Sequence, residues 1–179
     1  MDPVARAAPR GPAPCRGPVA GRRPGRVRGA LDGRSGITHN TVVRVVLDTN
    51  VIVAGLRSNR GASHELLRRL RDGRIEAAIT VTLLLEYEEV LGREREALGL
   101  SLADVATVVD ALAALSIRVP AGRSGRPRLA DPGDEHVLDA ALAAGASAIV
   151  THDVRHFRAA GSFGLRVLTP RQLLEEDRS

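Results

Sequence analysis

An α/β domain with a central parallel sheet in three layers is the fold class the sequence predicts, on three observations. The run Val42-Val43-Arg44-Val45-Val46-Leu47 is rich in β-branched residues, as suits a strand buried on both faces. Four further short apolar runs follow it, and stretches of helical spacing separate them. Two of the strands lead into an aspartate, Asp48 directly after the first and Asp153 after Thr151-His152. In an open α/β sheet, ligands gather at the carboxyl ends of the strands. Asp48 is equally well placed to cap the next helix, so cap and site stand level at this point.

Taken in order, the first strand is followed by a short helix over about Asn50 to Leu56 and a loop, Arg57-Ser58-Asn59-Arg60-Gly61. Ala62 to Arg71 is amphipathic, with Leu66, Leu67 and Leu70 inward and Arg68, Arg69 and Arg71 outward. Asp72-Gly73 ends it, because glycine takes the left-handed cap conformation without cost. Glu76 to Thr80 is a second strand, and Thr80 or Thr82 caps the helix that follows. The apolar stripe of that helix runs through Leu83, Leu84, Tyr87, Val90 and Leu91, with Glu86 on its border, and Arg93 to Leu98 extends it by a helical turn. Ser101 caps a helix to Leu115; Ile117 to Val119 is a third strand, and Pro120 to Arg128 a loop. Asp131-Pro132-Gly133-Asp134 turns into a helix over Glu135 to Ala144, closed by Gly145, with Asp134 in line with Leu138 and Ala141 on the core-facing stripe. Ala148 to Thr151 is a fourth strand, followed by a short helix to Arg158, a strand Arg166 to Leu168, and a last helix from Thr169.

Composition narrows the function classes. Hydrophobic residues make up 44% of the chain, yet there are two Phe, one Tyr and no Trp, so the core must be aliphatic. The lone Cys15 excludes an intrachain disulfide and a cysteine-based metal cluster, and it suits a reducing, cytoplasmic location. No apolar run approaches the roughly 18 residues of a membrane span, so no membrane partner is expected. The formal charge of +5 invites a nucleic-acid reading, but its location weakens it. Residues 1–41 carry net +6, whereas residues 42–179 carry net −1. The division expected is therefore a disordered Arg/Pro/Gly-rich tail over 1–41 and one folded domain over 42–179. The tail lacks the apolar region of a signal peptide. An arginine-rich tail can bind phosphates, but we favour an upstream start-site artefact, with the natural start near Val42 or Val43, because the first strand begins where the tail stops.

Four acids are candidates for chemistry: Asp48 and Asp153 at strand ends, Asp134 at the head of the helix before the fourth strand, and Glu86 on a helix border. If the first and fourth strands are neighbours across a switch point, all four can converge. Carboxylates about 5 Å apart repel by roughly 3 kcal/mol per pair at an effective dielectric near 20. Such a cluster persists by raising pKa values or by binding a cation. Oxygen ligands without Cys or a His pair suit a hard ion, Mg²⁺ or Mn²⁺, able to activate water and stabilise a phosphodiester under attack. Singly, Asp134 and Asp153 read as helix caps and Glu86 as one charge in a solvated acidic run; it is their joint occurrence that points to a metal site. His64, His136 and His156 read as surface or internally satisfied histidines, and the arginines at 57, 60, 93, 123, 126 and 128 as solvated surface.

Val-Leu-Asp-Thr-Asn-Val at 46–51, Leu-Leu-Glu-Tyr-Glu-Glu-Val-Leu at 84–91, Asp-Pro-Gly-Asp-Glu-His-Val-Leu at 131–138 and Ile-Val-Thr-His-Asp at 149–153 together resemble PIN-domain ribonucleases. Their order and spacing are similar to VapC-like toxin components of toxin–antitoxin systems, over about Val42 to Leu174. The resemblance implies a three-layer PIN-like domain and an Mg²⁺- or Mn²⁺-dependent endoribonuclease. Its acids fall on Asp48, Glu86, Asp134 and Asp153, which would be both catalytic and metal-binding, with Asp131 as a further supporting acid. Asn50 and Thr151 match polar positions that orient carboxylates. His152 stands where Gly or Arg is expected and reads as an exposed bystander. The implied partners are an RNA substrate, a cognate antitoxin protein and a second copy of the chain in a homodimer. Two rivals stand beside the toxin: a PIN nuclease of RNA processing or decay outside any toxin pair, and a non-catalytic RNA-binding module. A haloacid-dehalogenase-like phosphotransferase fits poorly, since it expects a second Asp where Asn50 stands and usually a Lys, of which there are none.

Overall fold

The computed structural model describes residues 43–121, 129 and 132–176, and within them the sheet is five-stranded and parallel throughout. The order of elements is β1 (Arg44–Leu47), α1 (Thr49–Arg57), α2 (Ala62–Arg71), β2 (Glu76–Ile79), α3 (Val81–Leu98), α4 (Leu102–Leu115), β3 (Ile117–Arg118), a 3₁₀ turn (Pro132–Asp134), α5 (Glu135–Ala144), β4 (Ala148–Val150), a second 3₁₀ segment (Arg158–Phe163), β5 (Arg166–Leu168) and α6 (Pro170–Glu176). The tail over 1–41, Asp131 and the arginines at 123, 126 and 128 lie outside the described residues.

The strand order is β3-β2-β1-β4-β5. The chain proceeds from β1 towards one edge and then crosses back to β4, on the other side of β1. α5 packs against β1, β2 and β4, α4 packs against β2, and α3 touches α1, α4 and α5. The reversal lies between β1 and β4, so the switch point of the sheet falls at the carboxyl ends of those two strands. Val45, Val46, Leu47, Ala148, Ile149 and Val150 are all buried there, as strands covered on both faces must be.

The aliphatic core holds as expected, with Leu66, Leu83, Leu91, Leu138 and Ile149 wholly buried around the single Tyr87 and Phe157. Local signals set the helix ends. Thr80, not Thr82, caps α3 by accepting from the Leu83 N–H at 3.2 Å. Ser101 and Asp104 form a reciprocal capping box on α4. Gly73 at φ +67° and Gly145 at φ +56° occupy the left-handed region after α2 and α5.

The expected helix over Leu83 to Leu91 and its extension form one unbroken helix, Val81–Leu98. Two expectations are corrected. The short helix to Arg158 is instead a run of turns, with 3₁₀ structure from Arg158 to Phe163. Arg69, expected to face outward, is buried at 5% exposure beside Glu65, whose carboxylate accepts from its Nε at 3.2 Å. A helical wheel assumes one buried face, whereas α2 packs against both α1 and α6. No helix among the described residues is long and apolar enough to cross a membrane.

Candidate active site at the β1/β4 switch point

Asp48 ends β1 and begins α1 in one residue. Its extended backbone (φ −71°, ψ 149°) makes it the N-cap of α1, and Oδ1 accepts from the Asn50 N–H at 3.4 Å. Oδ2 accepts two shorter hydrogen bonds, from Thr151 Oγ1 at 2.5 Å and Asn50 Nδ2 at 2.7 Å. The Asn50 amide also donates to Thr151 Oγ1 at 3.1 Å, and its oxygen accepts from the His152 N–H at 3.2 Å. Thr151, wholly buried after β4, further accepts the Asp153 N–H at 2.9 Å. Cap and site are thus compatible readings of Asp48, and neutral donors, not a cation, hold its buried carboxylate.

Glu86 reaches the same end of the sheet from α3. Thr49, the first residue of α1, donates to Glu86 Oε1 at 2.7 Å, and Glu86 Oε2 is in close contact with His136 Nε2 from α5. One turn-position further, the buried Tyr87 hydroxyl donates to the Leu47 carbonyl, immediately before Asp48. Burial, with the negative charges of Asp48 and Glu86 adding to it, pushes the Tyr87 phenol well above the usual tyrosine range. The phenol therefore stays protonated and keeps its donor role.

Asp134 and Asp153 share a third residue. His156 Nδ1 lies 3.2 Å from Asp134 Oδ2, and its Nε2 lies 3.3 Å from Asp153 Oδ2. Each ring nitrogen of His156 thus faces one carboxylate, so the side chain bridges the two acids.

The four acids thus arrive as linked groups: Asp48 with Asn50 and Thr151, Glu86 with Thr49 and His136, Asp134 and Asp153 with His156. Among the described residues, no three His, Cys, Asp or Glu side chains form a group that could hold a metal ion. Direct convergence of all four acids is therefore not seen among the described residues, and His156 stands between Asp134 and Asp153. The donor chemistry nevertheless fits a divalent cation. Among the described residues no cationic side chain pairs with the buried Asp48, and its charge reaches Tyr87 together with that of Glu86. Asn50 and Thr151 both donate to the Asp48 carboxylate. His152 is exposed, yet its Nε2 and Ser63 Oγ form a 2.8 Å hydrogen bond that ties the segment after β4 to α2. His136 and His156, expected as surface or internally satisfied histidines, and Tyr87, expected as core, all contact this end of the sheet, as does Thr49, for which the sequence suggested no role. Each sits within three residues of a candidate acid, but proximity along the chain did not reveal contact in space.

Beside Asp48 a cleft of about 410 Å³ opens between α1 and α3, walled by Val53, Ala54 and Val90 and flanked by the Arg57–Glu94 ion pair at 3.2 Å.

Fold and site define a parallel α/β domain with an acid-rich centre at its strand-order switch point. The family model described as the PIN domain matches residues 44–155, and the chain belongs to the PIN domain family. PIN domains are generally nucleases and typically use a divalent metal ion. No curated protein matches the chain.

Proposed function

We propose that this chain is an endoribonuclease dependent on Mg²⁺ or Mn²⁺, and that it serves as the toxin of a toxin–antitoxin pair. Asp48, Glu86, Asp134 and Asp153 would hold the ion, with Asn50 and Thr151 orienting Asp48 and Asp131 as a further supporting acid. The observation that carries the reading is the Asp48 carboxylate, buried at the β1/β4 switch point of a PIN domain and held by hydrogen-bond donors from both strand ends. A divalent ion bound there supplies Lewis-acid polarisation of a phosphodiester and a lowered water pKa.

The chain's own residues prepare the site. Thr151 and Asn50 fix one oxygen of Asp48, and Tyr87 pins the carbonyl that precedes it. Thr49 links Glu86 to the start of α1, and His156 draws Asp134 and Asp153 together. In this reading the nuclease domain spans 42–179 with 1–41 as a tail, and the partners are RNA, a small antitoxin and a second copy of the chain. The toxin assignment rests on the similarity of the four motifs to VapC-like proteins. A small neighbouring reading frame with a DNA-binding signature would support it.

The test incubates the full chain, freed of any antitoxin, with single-stranded RNA and Mn²⁺ or Mg²⁺. Cleavage should vanish with EDTA and in Asp48→Asn. Unchanged cleavage in Asp48→Asn would remove the site assignment.

A further inference from the structure

The cleft between α1 and α3 runs from Asp48 to the Arg57–Glu94 pair, eight residues along α1 from Thr49, or about 12 Å at 1.5 Å per residue. Its walls are aliphatic, so it can shelter a flat ring but offers no aromatic platform. The polar groups near Asp48 are committed. Both ends of the Asn50 amide are hydrogen-bonded, and the Thr49 hydroxyl is given to Glu86. Arg57 and Glu94 are different. They meet through a single 3.2 Å contact, and their side chains are 58% and 35% exposed. A surface pair of this kind opens at little cost.

We propose that this cleft is a nucleotide subsite for an unpaired guanosine next to the scissile phosphate, with Glu94 reading the base and Arg57 meeting its phosphate; this rests on the ribonuclease reading above. Single-stranded RNA is read on the Watson–Crick edges of splayed bases. Once Arg57 turns to a phosphate, Glu94 presents two acceptor oxygens at the mouth of the cleft. Guanine alone among the four bases offers two adjacent N–H donors on that edge, N1–H and the N2 amino group. Adenine and cytosine offer one donor beside a ring-nitrogen acceptor that faces the carboxylate unfavourably, and uracil one donor between carbonyls. Arg57 carries the fork of donors that matches a phosphate. The cleft is also continuous with the candidate catalytic carboxylate, so the strand leaving this nucleotide can run on to Asp48.

The test uses the full chain in EDTA, so that no metal holds the nucleotide phosphate. Methyl chemical shifts of Val53, Ala54 and Val90 are followed while the four nucleoside 5′-monophosphates are titrated separately. The expected result is shifts in these methyls with guanosine monophosphate binding at least fivefold tighter than adenosine monophosphate, the lower end for one bidentate base contact. In Glu94→Gln that preference should collapse, even if overall affinity rises because Arg57 has lost its partner. Arg57→Ala should weaken all four nucleotides alike. Equal affinities for the four nucleotides, or no shift in the cleft methyls, would overturn the proposal. Mapping of cleavage sites separates it from the reading beneath it. Metal-dependent cleavage without guanosine preference sinks the subsite and leaves the ribonuclease standing. Failure to cleave any RNA sinks the ribonuclease, while the nucleotide titration still decides whether the cleft selects guanine.

Discussion

Thr151→Val is the substitution that most directly tests how Asp48 is held. Valine keeps the shape of the side chain and removes one oxygen. That oxygen donates to Asp48 Oδ2 at 2.5 Å and accepts from Asn50 Nδ2 and the Asp153 N–H, all in a fully buried position. A hydrogen bond to a charged group contributes about 1.5–3 kcal/mol. The added methyl returns about 0.8 kcal/mol, and Asn50 keeps Asp48 as an acceptor. The net loss should be about 2 kcal/mol, a fall in Tm of roughly 6–10 °C for a domain of this size, read by thermal or urea unfolding. Most of the loss depends on the charge of Asp48. In an Asp48→Asn background, the same substitution breaks a neutral hydrogen bond of about 1 kcal/mol, which the same methyl offsets to a few tenths, so the pair should be coupled by about 1–2 kcal/mol. A Thr151→Val protein within about 0.5 kcal/mol of wild type, or equal costs in the two backgrounds, would refute the reasoning.

Other perturbations follow from the same geometry. Tyr87→Phe removes the donor to the Leu47 carbonyl and should cost about 1–2 kcal/mol near neutral pH in denaturant unfolding. Because the folded phenol titrates above its unfolded value, its contribution is complete below about pH 10 and is lost as pH rises through the folded pKa. The alkaline fall in stability should therefore be shallower in Tyr87→Phe, and an identical fall would argue against the assignment. Gly55→Ala places a methyl 2.6 Å from Leu67 Cδ1, which must turn aside, and 3.1 Å from the Ser63 backbone carbonyl, which must give by a few tenths of an ångström. Overpacking of about 1–3 kcal/mol outweighs the roughly 1 kcal/mol that alanine gains in a helix, so unfolding should show a net loss; a more stable variant would contradict it. Mn²⁺ at a hundred times its dissociation constant should stabilise the wild-type chain by about 2.7 kcal/mol in thermal unfolding, an effect that should shrink in Asp48→Asn. Equal stabilisation of the two proteins would locate the ion elsewhere.

Much of this molecule is legible in one dimension because its determinants are local. The β-branched run ending at Leu47, the Ser101 cap and the left-handed Gly145 each act over a few residues, and each stands where the sequence indicates. What escaped depends on packing between distant segments. Arg69 is polar by type but buried, because α6 covers α2 from a hundred residues further along the chain. His136 and His156 read as surface or internally satisfied histidines, with no partner indicated by the sequence. Their contacts with Glu86, Asp134 and Asp153 arise only once α3, α5 and the segment after β4 meet at one end of the sheet.

Asp48 caps α1 without using up its carboxylate, because the two oxygens take different partners. Oδ2 takes two strong donors from opposite strand ends, at 2.5 and 2.7 Å, and so fixes the plane of the group. Oδ1 takes one long capping contact at 3.4 Å, near the limit of hydrogen bonding, and keeps lone pairs to offer. Capping therefore orients the group and leaves one oxygen with capacity to spare. This also explains why Asp48→Asn is the informative variant. Asparagine can keep its oxygen at the Oδ2 position for Thr151 and Asn50, so the cross-strand link survives. Its amide nitrogen then lies at the Oδ1 position, where a donor replaces the acceptor that a cation needs. The substitution should spare the fold and abolish metal-dependent activity, whereas Asp48→Ala also removes the acceptor for both cross-strand donors and should be the less stable of the two proteins.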